Sequence, residues 1–413
     1  MFAATAWWAL AARLSLRFLE RGTSVAALCP IGHPLRHVPG IDRIYTYRAL
    51  GSLRSLESAL ELEAPDLVVP CDDRVVWQLH ELHSRRPRWR PLVEASLGDP
   101  RSYPIVRSRE RLLALAAELG IDVPETAPVR SEEALGAWLD REGPRAVLKI
   151  DGTWAGEGVR IVDSREAARR SFQDLSRPSG LSTALKRTIV NRDTLALWAW
   201  RNAGPPAVTV QRFVTGHPAN AMLACFQGRL LGAVCVEVLS SEGPTGAAVV
   251  IRLLDSPRMR TAAERLVERL GLTGFCGLDF VIDDATFVPY LIEMNPRCTQ
   301  LGHLSLPGQG DLAGLLLAQL PGGAAGAPPA PIAADTIALF PQYLAAGAAG
   351  APRPGLHHDV PQAYPELVAE LSKPTWPERR WIARCYHFFR SQRRVPTMDF
   401  RVAGAGPEEY PRR

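Results

Sequence analysis

Residues 277–297 read GLDFVIDDATFVPYLIEMNPR, an alternating pattern on both sides of Asp283-Asp284-Ala285-Thr286. Alternation with a period of two about a short polar turn predicts two strands joined as a hairpin, which sets Asp279 and Glu293 on neighbouring strands. Glu293 and Asn295 are two residues apart and therefore share a face. Three oxygen-bearing side chains converging from paired strands suit a hard cation such as Mg²⁺, held by one or two carboxylates together with substrate phosphates. An ordinary hairpin with solvated acids at its turn fits the same residues, so the rest of the chain has to decide.

With 413 residues, the chain has material for two or three domains and for a buried core. Its 46% hydrophobic and 22% charged content exclude wholesale disorder. The net charge of +5 hides an asymmetry, because the 48 basic residues include only three lysines, Lys149, Lys186 and Lys373. Arginine is the default cation here, so each lysine calls for a reason. Seven scattered cysteines without a CxxC pair form neither a disulfide framework nor a zinc site, which points to a reducing cytoplasm.

The apolar run from Phe2 to Leu19 is interrupted by Arg13 and Arg17 and has no small-residue cleavage site after it. It is read as an amphipathic helix and not as a signal peptide or a transmembrane segment. A strand at 2–5, a helix at 7–21 and a strand at 25–29 make a β-α-β opening. A helix at 53–62 and the strand Leu67-Val68-Val69-Pro70 follow, implying a parallel sheet covered on both faces. Asp72 and Asp73 stand just beyond that last strand, where such sheets bind ligands, and where they serve equally well as the N-cap of the next helix. His80 and His83 on that helix have no third ligand nearby and are read as structural.

Residues 91–104 are turn-rich and suggest a domain boundary. Helices at 108–119 and 132–141 then lead to the strand Ala146-Val147-Leu148-Lys149-Ile150. Lys149 precedes the loop DGTWAGEG, residues 151–158, which contains Gly152, Gly156 and Gly158 and runs into the strand at 159–162. A strand follows and no Gly-Lys-Ser/Thr is present, so this is not a Walker A loop. A glycine hairpin can nonetheless turn its backbone amides onto an anion, and its coupling to a rare lysine favours a phosphate cover.

SRERLLALAAELGIDVPET (108–126), VLKIDGTWAGEGVRIV (147–162), VTVQRFVTG (208–216) and the hairpin, taken in order, resemble the ATP-grasp superfamily of the carboxylate-amine ligase type. The likeness covers roughly residues 1–320, and four motifs in order are more specific than any one of them. It implies an α/β and α+β architecture. An N-terminal parallel-sheet α/β domain (1–105) precedes an ATP-grasp N-terminal lobe with the glycine-rich loop (106–205). A C-terminal lobe with the metal site (206–320) follows, and then a linker and C-terminal extension (321–413). The resemblance further implies ATP and Mg²⁺ as cofactors, with Mn²⁺ as a substitute. The implied reaction joins a small-molecule carboxylate to an amine through an acyl phosphate, releasing ADP and phosphate.

Carried over residue by residue, the resemblance makes Lys149 a ligand of the nucleotide phosphates, with Gly152, Gly156 and Gly158 in the covering loop. Asp279, Glu293 and Asn295 become magnesium ligands, and Arg297 the cation facing the reacting group. Two departures stand out. Arg109 occupies the place of a second phosphate-binding lysine and keeps the charge. In the hinge Gln211-Arg212-Phe213-Val214, Arg212 replaces a common acidic residue, which leaves the backbone of Arg212 and Val214 to hold adenine and the ribose contact unassigned. His217 and Asn220 are read as surface turn residues. Arg252, on a strand at 248–252, is the candidate for holding a substrate carboxylate, and Glu237 a weaker one for the amine.

Beyond the linker, 336–340 reads as a strand returning to the main body. The segment 379–394, RRWIARCYHFFRSQRR, mixes cations with aromatics and is read as packing its rings on the body, with nucleic acid not expected as a partner. A silent nucleotide-binding module and a phosphotransferase to a stable acceptor remain as alternatives to the ligase. The sequence leaves the acid, the amine and the oligomeric state open, a homo-oligomer included.

Overall fold

The computed structural model describes residues 1–150, 158–177, 207–243, 246–307, 310–323, 326–327, 329–345, 355–373 and 398–399. The opening elements are β1 (Phe2–Ala3), α1 (Ala9–Glu20), β2 (Ala26–Cys29), β3 (Arg43–Thr46), α2 (Ser52–Glu63), β4 (Val69–Pro70) and α3 (Asp73–Arg85). Their strands form a parallel sheet in the order β3-β2-β1-β4. The order reverses between β1 and β4, which makes a crevice at the carboxyl ends of those two strands. The fully buried strand Ala26–Cys29 shows why the sequence signal here was an apolar run without alternation.

The turn-rich stretch read as a bare boundary instead contains two helices, α4 (Arg90–Leu97) and α5 (Tyr103–Val106). Proline near the start of each is compatible with a helix, because the amide it removes has no partner in the first turn. Next come α6 (Arg109–Glu118), β5 (Thr126–Val129), α7 (Glu132–Glu142), β6 (Ala146–Ile150), β7 (Val159–Val162), α8 (Arg165–Ser176) and β8 (Val208–Arg212). The strands form an antiparallel sheet ordered β5-β8-β6-β7. Ser108, Ser131 and Ser164 cap α6, α7 and α8 by accepting amides of the first turn. Trp138, Leu139, Leu148, Phe172 and Val210 fill the core of this lobe.

The second lobe is built on β9 (Gly216–Phe226), β10 (Arg229–Ser241), β11 (Ala248–Leu253), α9 (Pro257–Leu270), β12 (Gly274–Asp283) and β13 (Pro289–Asn295). The short pair β14 (Ser305–Leu306) and β15 (Gly310–Asp311) precedes α10 (Leu312–Leu317). The large sheet runs β13-β12-β9-β10-β11-β16-β17, with β16 (Thr336–Ala338) and β17 (Leu356–His358) contributed from beyond the predicted linker. The backbone of β18 (Met398–Asp399) pairs with β10. Strand 336–338 therefore does return to the body, and it and strand 356–358 belong to the sheet of the second lobe. The segment 379–394 lies outside the described residues.

Alternation along the large sheet gives it two apolar faces. Met222, Ala224, Val234, Val236 and Phe275 face the N-terminal domain, packing with Phe2, Leu14 and Phe18. Leu223, Cys225, Cys235, Cys276 and Leu278 pack against α9 and α6 through Leu266, Leu270 and Leu113. A sheet sandwiched in this way fixes which side chains reach the site and which are turned away from it. Among the described residues the cysteines are free thiols, and no helix is long and apolar enough to cross a membrane.

A buried ionic cluster ties α1 to the C-terminal segment, which contains α11 (Gln342–Ala345) and α12 (Pro365–Leu371). Arg13 donates to the Asp359 carboxylate at 2.6 Å and to its carbonyl at 2.7 Å, and His303 Nε2 lies 2.6 Å from the other carboxylate oxygen. Burial lowers the His303 pKa from 6.5 to about 4, although Asp359 pulls it the other way, so the ring is neutral and Nε2 carries the donated proton. Burial pushes the Asp359 carboxyl up, but His303 and Arg13 outweigh it and hold the group below the usual range. The two linkages have the same sign. Between pH 6.5 and about 4 the unfolded chain takes up a proton at His303 that the folded chain refuses, and Asp359 loses its contribution at still lower pH. Acidification across that window is expected to cost up to about 3 kcal/mol through His303. Urea midpoints measured against pH should show this fall for the wild type and a flatter one for His303→Gln.

Candidate active site

The site is organised by the pairing of β12 with β13, in which Asp279 stands opposite Glu293 and Gly277 opposite Asn295. A bulge follows Asp279, the usual device for re-aiming a side chain beside a site. On its other side Asp279 stands opposite Asn220 of β9. Each carboxylate oxygen of Asp279 accepts from one amide, Asn220 Nδ2 at 2.6 Å and Asn295 Nδ2 at 2.9 Å. Asn220 is thus not a turn residue but a strand residue of the site. The sequence offered no signal for it, because its partner lies 59 residues away. Gly277 sits close to Thr299, since a Cβ there would stand 2.3 Å from the Thr299 methyl and would force that side chain to shift.

Burial, and after it the neighbouring Glu293, push the Asp279 carboxyl up to about 6. Glu293 experiences the same burial, but Arg109, Lys149 and Arg297 overcome it and hold the group below the usual carboxylate range. Arg109 Nη2 donates to Glu293 Oε1 at 2.6 Å, with the arginine side chain 9% and the glutamate 34% exposed. Lys149, almost fully buried on β6, donates from Nζ to Gln211 Oε1 of β8 at 2.8 Å, and Gln211 Nε2 donates to Thr126 Oγ1 at 3.0 Å. Gln211, expected at the hinge, is therefore oriented toward the lysine.

Arg297 closes the site toward the N-terminal domain. Its Nη2 lies 3.2 Å from Asn295 Oδ1 and 3.1 Å from Asp73 Oδ2, while Nη1 donates to the Cys298 carbonyl at 3.3 Å. Burial works against its charge, but Asp73, Asp72 and Asp279 keep it protonated. The two adjacent acids after β4 separate in function. Asp72 is the N-cap of α3, accepting from Val75 N at 3.1 Å, and it also receives Thr5 N, Thr5 Oγ1 and Ala6 N. Asp73 instead reaches Arg297.

Three expectations are corrected or left aside. Arg252 does not join this cluster. It pairs across the strands with Glu237, Nη2 to Oε2 at 2.9 Å, at the register position of Ala219, one residue off that of Asn220. Successive strand residues point to opposite faces, so Arg252 and Glu237 project away from the face that carries Asn220 and Asp279. His217 lies with them, on β9, 3.9 Å from Glu237. At the hinge, the amide of Arg212 already donates to the Glu125 carbonyl at 2.8 Å, which removes it as a donor for adenine, and its guanidinium sits over the Tyr290 ring. Val214 follows β8 in the connection to β9. Of the glycine loop, Gly158 accepts the Ile150 amide at 3.1 Å, while Gly152 and Gly156 lie outside the described residues.

The donor set suits a hard cation. Among the described residues no group of three or more His, Cys, Asp and Glu side chains is arranged as a metal cage. Two carboxylates with an amide oxygen fit an ion that keeps waters and borrows phosphate oxygens, as Mg²⁺ does. The two acids repel one another, which a divalent ion relieves. Because the Lys149 ammonium is buried, Gln211→Leu should cost about 1–3 kcal/mol, read as a lower urea midpoint with an unchanged m-value.

The model for the ATP-grasp domain matches residues 112–300. Among curated proteins, the arginine-specific large chain of carbamoyl phosphate synthase from Geobacillus stearothermophilus is 24% identical over 214 residues, which are 52% of this chain and 18% of that protein. The corresponding large chain from Rubrobacter xylanophilus is 24% identical over 195 residues, 45% of this chain and 16% of that one. The alignments thus span less than a fifth of the length of these relatives. Among solved structures, N5-carboxyaminoimidazole ribonucleotide synthetase from Thermus thermophilus matches with a TM-score of 0.57 at 18% identity, covering 91% of this chain and 100% of that one. The biotin carboxylase domain dimer of 2-oxoglutarate carboxylase from Hydrogenobacter thermophilus, in complex with MgADP, ADP and bicarbonate, matches with a TM-score of 0.57 at 15% identity, covering 76% and 68%. The domain match and the order of the elements agree: residues 112–300 of this chain are an ATP-grasp domain, and the fold around them is that of the solved structures.

Proposed function

We propose that this protein is an ATP- and Mg²⁺-dependent ligase that joins a carboxylic acid to an amine through an acyl phosphate. The observation that carries this reading is the Asp279–Glu293 pair with Asn295, flanked by Arg109, Lys149 and Arg297. Structural neighbours solved with ADP or MgADP support nucleotide as the ligand of the same fold. In this reading Lys149 and Arg109 hold phosphate oxygens, and Arg109 exchanges Glu293 for them when nucleotide arrives. Asp279, Glu293 and Asn295 would hold magnesium, which would supply charge neutralisation for phosphoryl transfer. Asn220 orients Asp279 and keeps its acceptor oxygens in place. Arg297 faces the reacting carboxylate. Such a set suits phosphoryl transfer, where positioning and charge matter more than covalent help from the protein.

In the first step a carboxylate oxygen bonds to the γ-phosphorus as its bond to the bridging oxygen breaks, and ADP leaves. In the second the amine bonds to the acyl carbon, the bond to the phosphate oxygen breaks, and the amine gives up a proton as phosphate departs. The test is product analysis with ATP, magnesium and a panel of carboxylates and amines. ADP and phosphate should form in equal amounts with the ligated product, whereas AMP and pyrophosphate would overturn the acyl-phosphate mechanism. Glu293→Gln should lower turnover by at least about a hundredfold, in line with the loss of one transition-state electrostatic contact, while thermal unfolding changes little. Full activity in that variant would remove Glu293 from the metal site. Manganese should replace magnesium, and its binding, followed by electron paramagnetic resonance, should weaken in the same variant.

A further inference from the structure

Resting on the ligase reading above, we propose that Arg297 and Asp73 together form a dipolar subsite for the carboxylate and the ammonium of one molecule, so that the acid substrate is an α-amino acid. The two side chains come from different domains and meet at 3.1 Å, with the arginine 13% and the aspartate 23% exposed. Asp73 stands at the carboxyl end of β4, beside the crevice where the strand order reverses and where parallel sheets take their ligands. Its neighbour Asp72 is consumed by four hydrogen bonds to the protein. Among the described residues the only ion-pair partner of Asp73 is Arg297.

The arginine has an edge to offer. A carboxylate binds a guanidinium side-on through two parallel hydrogen bonds, most simply to Nε and one Nη. Arg297 Nε is buried and has no partner among the described residues, and its Nη2 is shared between Asn295 and Asp73 at distances of 3.2 and 3.1 Å. A ligand carboxylate completes that edge and takes Nη2 from Asp73. The aspartate is then left partly buried without its cation, a state costly for any carboxylate. An α-ammonium, one carbon away from the ligand carboxylate, restores the pair. A simple carboxylic acid cannot, so the arrangement selects against it as well as for the amino acid.

The same contact has a consequence for the chemistry. An amine held as an ammonium against Asp73 has no lone pair to attack the acyl phosphate formed on its own molecule. The attacking amine must come from a second substrate, and the acid substrate does not condense with copies of itself through this position.

The test is titration calorimetry with matched pairs, alanine with propionate, leucine with 4-methylpentanoate, glutamate with glutarate, in the presence of magnesium and a non-hydrolysable ATP analogue. The wild type should bind one amino acid about ten- to a hundredfold more tightly than its amine-free partner. Asp73→Asn, which keeps the shape of the side chain, should abolish that difference by weakening the amino acid, while the amine-free acid, which no longer strands a charged Asp73, binds at least as tightly as to the wild type. Unchanged urea midpoints would show that α3 has kept its first turn. Equal affinity within every pair, no binding of any member, or an equal loss for both members in Asp73→Asn would overturn the subsite; in the last case Asp73 only holds Arg297 in place. Selective binding without ADP release on adding ATP would leave the subsite standing and sink the ligase reading. ADP release with both members of a pair alike would do the reverse.

Discussion

Two carboxylates facing one another across a strand pair are the constraint on which this site depends. Asp279 and Glu293 are in direct register, and burial together with mutual repulsion lifts Asp279 toward a pKa of about 6. A fold tolerates such a pair only by surrounding it with donors and cations. Asn220 arrives from β9, Arg109 from the start of α6, Lys149 from β6 of the first lobe and Arg297 from the end of the hairpin. The charge requirement of one register position thus draws together both lobes and the helix between the domains.

The N-terminal domain takes part through a different pair of acids. Asp72 closes the crevice from within by joining the turn after β1 to the start of α3, and Asp73 carries the domain's charge outward to Arg297. The large sheet makes this possible because one of its faces is packed against the N-terminal domain by Phe2, Leu14 and Phe275. That packing brings the β4 terminus to the hairpin terminus. At the opposite margin β16 and β17 lengthen the same sheet, and Arg13, His303 and Asp359 bind the C-terminal segment to α1. His303 is six residues beyond Arg297, so this cluster also anchors the loop that leaves the site.

The arginines show how one residue type is sorted by position. Arg109 and Arg297 are drawn in by buried carboxylates, while Arg252 meets Glu237 on the reverse face of the sheet. Residue chemistry alone left Arg252 open as a candidate beside Arg297. Strand alternation separates them, and it could be applied only after the register of β9, β10 and β11 was known.

Local chemistry in the sequence determined the hairpin and its acids, the β-α-β opening, the rare lysine before a glycine loop and the order of motifs that marks the superfamily. These rest on short-range rules, a period of two, a capping serine, a glycine at a stop, which operate within a few residues. Tertiary structure alone decided that Asn220 serves Asp279, that Gln211 holds Lys149, that Arg109 rests on Glu293 and that Asp73 and not Asp72 meets Arg297. Each of these contacts joins residues between 59 and 224 positions apart along the chain. Their geometry follows from sheet register and domain packing, which many distant residues set together and no local pattern records.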